Sequence, residues 1–297
     1  MTDRIRTMLL LCILSANTTM SKTLSCIAIP LLCVGLVGFV AAEDNSDELP
    51  PPATPLLRAH AHNDFYHPRP LFDALDNGFG SVEADIFLVN GELLVAHFIY
   101  QIRPERTLES LYLAPLRERV RRFDGKIFPD ADEFYLWIDF KTEPQATYAV
   151  LRPLLEKYSD ILTRYENGTI IPGAVTVVLT GSANLGLIRN ESVRFAGVDG
   201  GLASLDSDVP AHLIPAAGIN WRQQFPQFTG ELSPAEREKL AEQVRKANER
   251  GRKLRYWNAP DHEEFWNILY DAGVHLINTG RLQPLRDFLL ERSVADP

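Results

Sequence analysis

Short apolar runs recur along this chain from residue 56 to its end, at 56–62, 81–86, 134–140, 174–180, 194–199, 216–220, 253–257 and 274–279. Between them the apolar positions follow helical spacing, so strands and helices are expected to alternate. Eight such runs predict an α/β protein, a single (β/α)₈ TIM barrel of about 250 residues. A further run, 92–97, follows Asn90-Gly91, a dipeptide suited to a tight hairpin turn, and is expected to return along the second strand.

Helix punctuation supports the alternation. Ser233-Pro234-Ala235-Glu236 combines an N-cap, a first-turn proline and the capping-box glutamate, and Gly251 marks the end of that helix. Asp261 to Glu264 reads as a second capping box, with Gly273 closing its helix.

The first 42 residues have a different character. Arg4, Arg6 and Lys22 precede or interrupt apolar stretches, and the run from Leu24 to Phe39 ends in Val40-Ala41-Ala42 before Glu43. This is the pattern of a signal peptide, with translation starting at Met1 or Met20, and the expected location is secreted or periplasmic. A membrane anchor is the alternative, since residues 24–42 approach the length that spans a bilayer. Residues 43–55, EDNSDELPPPATP, are acidic and proline-rich and read as a disordered linker, which leaves 56–297 as the folded domain.

Composition narrows the function classes. The chain carries a formal charge of −9, and loss of residues 1–42 removes three cations and one anion, giving −11. Such a balance excludes a nucleic-acid backbone as the expected partner and gives no polybasic membrane signal, so membrane contact is expected only through an uncleaved N-terminal segment. Cys12, Cys26 and Cys33 all precede residue 43, so the cleaved chain would have no disulfide.

Candidate chemistry concentrates between His60 and His97, in RAHAHND, SVEAD and LLVAH. Residues two apart on a strand share a face, about 6.6 Å apart along it, so Glu83 and Asp85 can address one cation while His60 and His62 point together from a neighbouring strand. Two carboxylates aimed into a barrel are costly unless a cation or protons compensate. Asp139 ends the strand LWIDFK and could complete an oxygen cage, with Lys141 beside it as a cationic phosphate contact. His97 ends the hairpin arm. Trp257 and Asn258 end the seventh strand, at the mouth where barrel sites form, and His67 reads as loop structure.

HNDF followed by VEAD and a later histidine resembles the superfamily of phosphatidylinositol-specific phospholipases C and glycerophosphodiester phosphodiesterases, most closely its branch containing the altered inheritance of mitochondria proteins. The likeness runs from about residue 57 to 290 and includes LWIDFKTE, GVDGG and HLINTG. It implies that Glu83 and Asp85 correspond to the metal-binding pair and His97 to the second catalytic histidine. His62-Asn63 resembles the phospholipase pair of catalytic base and metal-binding amide, while His60 competes for the base through its own H-x-x-N-D-F spacing. Phe98 stands where glycerophosphodiesterases carry aspartate, and their Arg-Gly after the first histidine is missing, which weakens transfer of the substrate more than of the chemistry.

The implied activity is metal-dependent hydrolysis of a small phosphodiester or phospholipid-derived substrate. Ca²⁺ or Mg²⁺ would be held by Glu83, Asp85, Asp139 and Asn63, with His62 or His60 and His97 as general base and acid, and Lys141 and Trp257 contacting the substrate. One rival is a transition-metal amidohydrolase, which needs more histidines at later strand ends than His212, His262 and His275 offer. The other is a barrel that binds a phosphorylated lipid or sugar without cleaving it.

Overall fold

The computed structural model describes residues 53–295, so the segment 1–42 and the linker up to residue 52 lie outside the described residues. In chain order the strands are β1 (Leu56–Ala61), β2 (Phe79–Val89), β3 (Glu92–Val95), β4 (Tyr135–Phe140), β5 (Arg164–Glu166), β6 (Thr169–Ile171), β7 (Thr176–Gly181), β8 (Val193–Arg194), β9 (Ala196–Val198), β10 (Ala216–Asn220), β11 (Lys253–Trp257) and β12 (Ile277–Thr279).

Parallel ladders link β12, β1, β2, β4, β7 and β9 in that order, and another joins β10 to β11. Single parallel bridges, Asp199 with Ala216 and Arg255 with Leu276, carry the sequence from β9 to β10 and from β11 to the approach of β12. Eight parallel strands therefore follow one another in ring order, the arrangement of a (β/α)₈ fold. They coincide with the eight apolar runs of the sequence.

β3 pairs antiparallel with the outer half of β2, from Ile86 opposite Val95 to Val89 opposite Glu92. Asn90 and Gly91 both have positive φ, 51° and 86°, as a two-residue turn of this hand requires. A small antiparallel sheet of β6, β5 and β8 stands outside the ring. It divides the apolar run 194–199, because Arg194 pairs with Tyr165 in that sheet while Ala196–Val198 serves the ring.

Strand alternation sorts the side chains. Val82, Ala84 and Ile86 pack outward into the core shared with the helices. Trp137, Val178, Ala216 and Leu276 form a separate inner cluster, and Glu83 is level with Trp137 in the ladder. The helix Pro234–Glu249 begins with the expected capping box, in which Glu236 Oε2 accepts from Ser233 N at 2.9 Å. The second expected box does not form. His262 is the N-cap of Glu263–Asp271, and Asp261 is drawn away because its carboxylate accepts from Trp266 Nε1 and Gly280 N, each at 3.1 Å.

Candidate active site

β2 and its ladder partners set the site. Its alternate residues Ser81, Glu83 and Asp85 face inward, and the register places Asp85 directly beside Asp139 of β4. Glu83, Asp85 and Asp139 each offer a carboxylate oxygen within 4.8 Å of the others. Three acids this close in a protein interior need positive charge.

Part of it comes from Arg255 of β11. Its Nη2 lies 3.2 Å from Glu83 Oε1 and its Nη1 3.3 Å from Oε2, and its guanidinium lies 4.1 Å from the centre of the Trp137 ring. Burial alone would raise the Glu83 carboxyl, but Arg255 and the neighbouring imidazoles outweigh it and hold the group well below the ordinary carboxylate range. Lys141 adds a second cation, with Nζ 3.0 Å from Asp85 and 3.2 Å from Asp139.

These two cations do not balance three carboxylates, so the cluster carries −1 with its imidazoles neutral. Burial pushes Asp85 up to about 6, and the charges of Asp139 and Glu83 add to it. Asp139 is also raised, chiefly by burial, and its enclosed Oδ1 is the atom that faces Lys141 Nζ at 3.2 Å. Gly181 makes room for that oxygen: it has φ 71°, and a Cβ there would stand 2.1 Å from Asp139 Oδ1.

The histidines fall at different depths. His60 is fully buried, edge-on to Trp137, with Nδ1 2.7 Å from Ser81 Oγ and Nε2 3.0 Å from Arg255 Nη1. An arginine only donates, so His60 Nε2 is the accepting nitrogen and Nδ1 carries the hydrogen. Burial lowers its pKa to about 4 and keeps it neutral. His62, two residues on, is 39 % exposed and donates Nδ1 to Glu83 Oε2 at 2.5 Å.

His97 lies just beyond β3 and donates Nδ1 to Asp85 Oδ2 at 2.7 Å. The hairpin brings it there, with Ala96 N bonded to Asp85 O at 3.1 Å. No group among the described residues engages Nε2 of His62 or of His97. Phe98 packs edge-on to the His97 ring, 4.4 Å between centres.

Asn63 follows His62 with φ 52° and opens the turn Asp64–Tyr66. That loop is anchored by Asp64, a buried carboxyl that accepts from Leu71 N at 2.5 Å and Tyr112 Oη at 2.9 Å. Trp257, 40 % exposed, lines a cleft of about 170 Å³ that also reaches His62 and Asn258. Of the rival arrangement of several histidines on one metal, His60 and His62 do come together with Glu83, with ligand atoms within 4.8 Å of one another, but the later histidines do not join them. His212 meets Arg194, His262 meets Glu264, and His275 meets Asn248 and Leu254.

Sequence reasoning missed Arg255, Asp199 and Asn278, the last being the ladder partner of His60 with both its amide atoms enclosed. Arg255 had a visible signal, a charge in the middle of the apolar strand KLRYW. Asp199 ends its run and accepts from Gly218 N at 2.6 Å and Thr180 Oγ1 at 3.3 Å, closing the rim beside the acids.

The carboxylate set fits a hard divalent cation. Its donors are oxygens, three of them within 4.8 Å of one another, and its net charge is negative. Among known proteins, residues 53–199 match the family model described as the AIM6-like phosphodiesterase domain. The chain is similar to the altered inheritance of mitochondria protein 6 homolog of Arthroderma benhamiae, 29% identical over 253 residues, covering 75% of this chain and 80% of that one. It is also similar to altered inheritance of mitochondria protein 6 of Eremothecium gossypii, 29% identical over 272 residues, covering 78% and 69% respectively. Among solved structures it is similar to a glycerophosphodiester phosphodiesterase from Agrobacterium tumefaciens, with a TM-score of 0.47 and 14% identity over 80% of this chain and 100% of that one.

Proposed function

For a chain whose residues 53–199 match the AIM6-like phosphodiesterase domain family, we propose that the barrel mouth cleaves a phosphoric diester by general acid and base catalysis from His62 and His97. The observation that carries this reading is the paired anchoring of two imidazoles by Nδ1, to Glu83 at 2.5 Å and to Asp85 at 2.7 Å. Each carboxylate fixes a tautomer and leaves Nε2 as the nitrogen that exchanges a proton. His60 is enclosed between Ser81 and Arg255 and serves as a support for Glu83 and Arg255.

Neutral His62 takes a proton at Nε2 from a hydroxyl on the alcohol part of the substrate. The oxygen so released attacks phosphorus as the bond to the leaving alcohol breaks. Protonated His97 delivers the proton that the leaving oxygen needs. The product of this step is a cyclic phosphate, and its hydrolysis reverses the two roles, with water as the attacking group. Lys141 lies beside Asp85 and Asp139, close enough to the acids to attract a phosphate oxygen. A divalent cation held by Glu83, Asp85 and Asp139, with Asn63 as a further oxygen donor, would supply charge neutralisation at the phosphate.

The test is a panel of phosphodiesters incubated with Ca²⁺, Mg²⁺ or EDTA, followed by ³¹P NMR. Cation-dependent release of a cyclic phosphate or a monoester is expected. Cation-dependent binding of a diester with no turnover would replace this reading with that of a binding protein.

A further inference from the structure

Asn-x-Ser/Thr triplets occur at two places in the folded domain, Asn167-Gly168-Thr169 and Asn190-Glu191-Ser192. Neither has proline in the middle, so both meet the sequence requirement for an N-linked glycan. Such triplets also arise by chance. What distinguishes these two is where the fold puts them.

The ring strand β7 separates them along the chain, yet they meet in space. In the small sheet outside the ring, Glu166 of β5 lies opposite Val193 of β8, and Asn167 N donates to Ser192 O at 2.9 Å. One end of that sheet therefore carries both triplets. Asn167 and Gly168, with φ 50° and 83°, form the tight turn between β5 and β6. Asn190 stands in a loop fixed by its neighbour Glu191, whose carboxylate accepts from Tyr148 Oη at 2.9 Å and lies 3.4 Å from Arg152 Nε.

Asn167, Thr169, Asn190 and Ser192 are all exposed, and among the described residues none bonds either amide side chain or either hydroxyl. Asn77, Asn184, Asn220 and Asn248 belong to no such triplet, and each uses its side chain to hold backbone or another residue. The two acceptor asparagines are free to carry a large group without loss of a contact.

The sheet also has something to cover. Among the described residues β6 pairs with β5 alone, so its outer edge is open, and Ile170 beside the turn is 52% exposed. An open edge with apolar side chains is a template for pairing with another chain. A bulky hydrophilic group at the turn would keep other chains from it.

We propose that Asn167 and Asn190 carry N-linked glycans, which together cover the open edge of β6. The donor is an oligosaccharide on a polyprenyl diphosphate. Asparagine Nδ2 bonds to the anomeric carbon and gives up one proton, while the bond from that carbon to the diphosphate oxygen breaks and the diphosphate leaves with the electron pair. The inference uses the signal-peptide reading of residues 1–42, which brings the chain to such a donor, and it is independent of the phosphodiesterase reading.

Secretion of the full chain, with its own N-terminal segment, from a fungal host tests it. Peptide-N-glycosidase in H₂¹⁸O should turn both asparagines into labelled aspartates, and the chain should lose two steps of gel mobility. Asn167→Gln and Asn190→Gln should each remove one step, and the double variant both. With its fold verified by circular dichroism, the double variant should scatter more light than the glycosylated protein at equal concentration, and adding Ile170→Lys should reverse the rise. A chain without either label, whether it stayed in the cytosol or crossed the lumen with its sites skipped, overturns the proposal. Label at one site alone overturns the other. Both labels with equal scattering in every form would overturn the covering of β6.

Discussion

Glu83 and Asp85, two residues apart on one strand, hold different imidazoles: His62 by Nδ1 at 2.5 Å and His97 by Nδ1 at 2.7 Å. A single strand thus sets the spacing of the proposed base and acid. His62→Ala and His97→Ala are each expected to reduce turnover of a cleaved diester by about 10² to 10⁴. His60→Ala should act differently, lowering stability by about 1–3 kcal/mol because Arg255 and Ser81 lose a buried partner. Steady-state kinetics beside urea denaturation separates the two. A His60→Ala protein of wild-type stability that loses more turnover than His62→Ala would move the base to His60.

Arg255 is the buried counter-charge of Glu83. Arg255→Met would leave that carboxylate without its strongest partner, and a loss of about 3–5 kcal/mol in urea unfolding with EDTA present is expected. Adding Glu83→Gln to the same chain should recover part of the loss, since the stranded charge is then gone. Arg255→Lys should not substitute, because an ammonium cannot span both oxygens of Glu83 and His60 Nε2 together.

The approach of Gly181 to Asp139 gives a second handle on the acids. In Gly181→Ala the new Cβ would collide with Asp139 Oδ1, and alanine would have to adopt φ 71°. The strained backbone should cost about 1–3 kcal/mol. Displacement of Asp139 should at the same time weaken Ca²⁺ or Mg²⁺ binding, read by calorimetry. A variant with unchanged cation affinity would show that Asp139 does not share the cation.

His275 carries a pH dependence of stability at the opposite end of its strand from the site. Burial lowers its pKa, with Lys253 and Arg58 adding to the effect, and its neutral ring accepts from Leu254 N while Nε2 meets Asn248 Oδ1. In the unfolded chain the ring titrates near 6.5, so as pH falls below that value the unfolded state takes up the proton first. The contribution is therefore complete above about 6.5 and is lost as pH falls towards the depressed folded value. The urea midpoint of wild type relative to that of His275→Gln at the same pH should fall from pH 7.5 to 5, a difference in which the opposite contribution of the raised Asp85 carboxyl cancels. Parallel curves would assign the acid sensitivity to other groups.

Much of this was legible in the sequence because strand periodicity is local. Eight apolar runs located eight ring strands, and spacing by two put Glu83 with Asp85 and His60 with His62. Periodicity gives the face of a side chain but not its depth, which is why His60 and His62 could not be told apart before the ring closed around one and left the other 39 % exposed. Arg255 and Asn278 escaped for another reason. Each acquires its meaning from residues brought round the barrel, with Arg255 lying 172 positions from Glu83, and no window along the chain contains both. Asp261 showed the converse, a good local capping signal overruled by the longer-range demands of Trp266 and Gly280.

The hairpin that delivers His97 makes the two proposed proton carriers unequal in their freedom to change. His62 follows directly from a ring strand, and moving it would mean re-registering the barrel. His97 arrives on an arm whose strand pairing is with the outer half of β2 and whose reach is set by the turn at Asn90 and Gly91. Lengthening or shortening that arm by a residue pair would reposition the proposed acid while the ring and its acidic cluster stay as they are. Directed evolution towards larger leaving groups would find its tolerated insertions there, and the rest of the mouth would resist them.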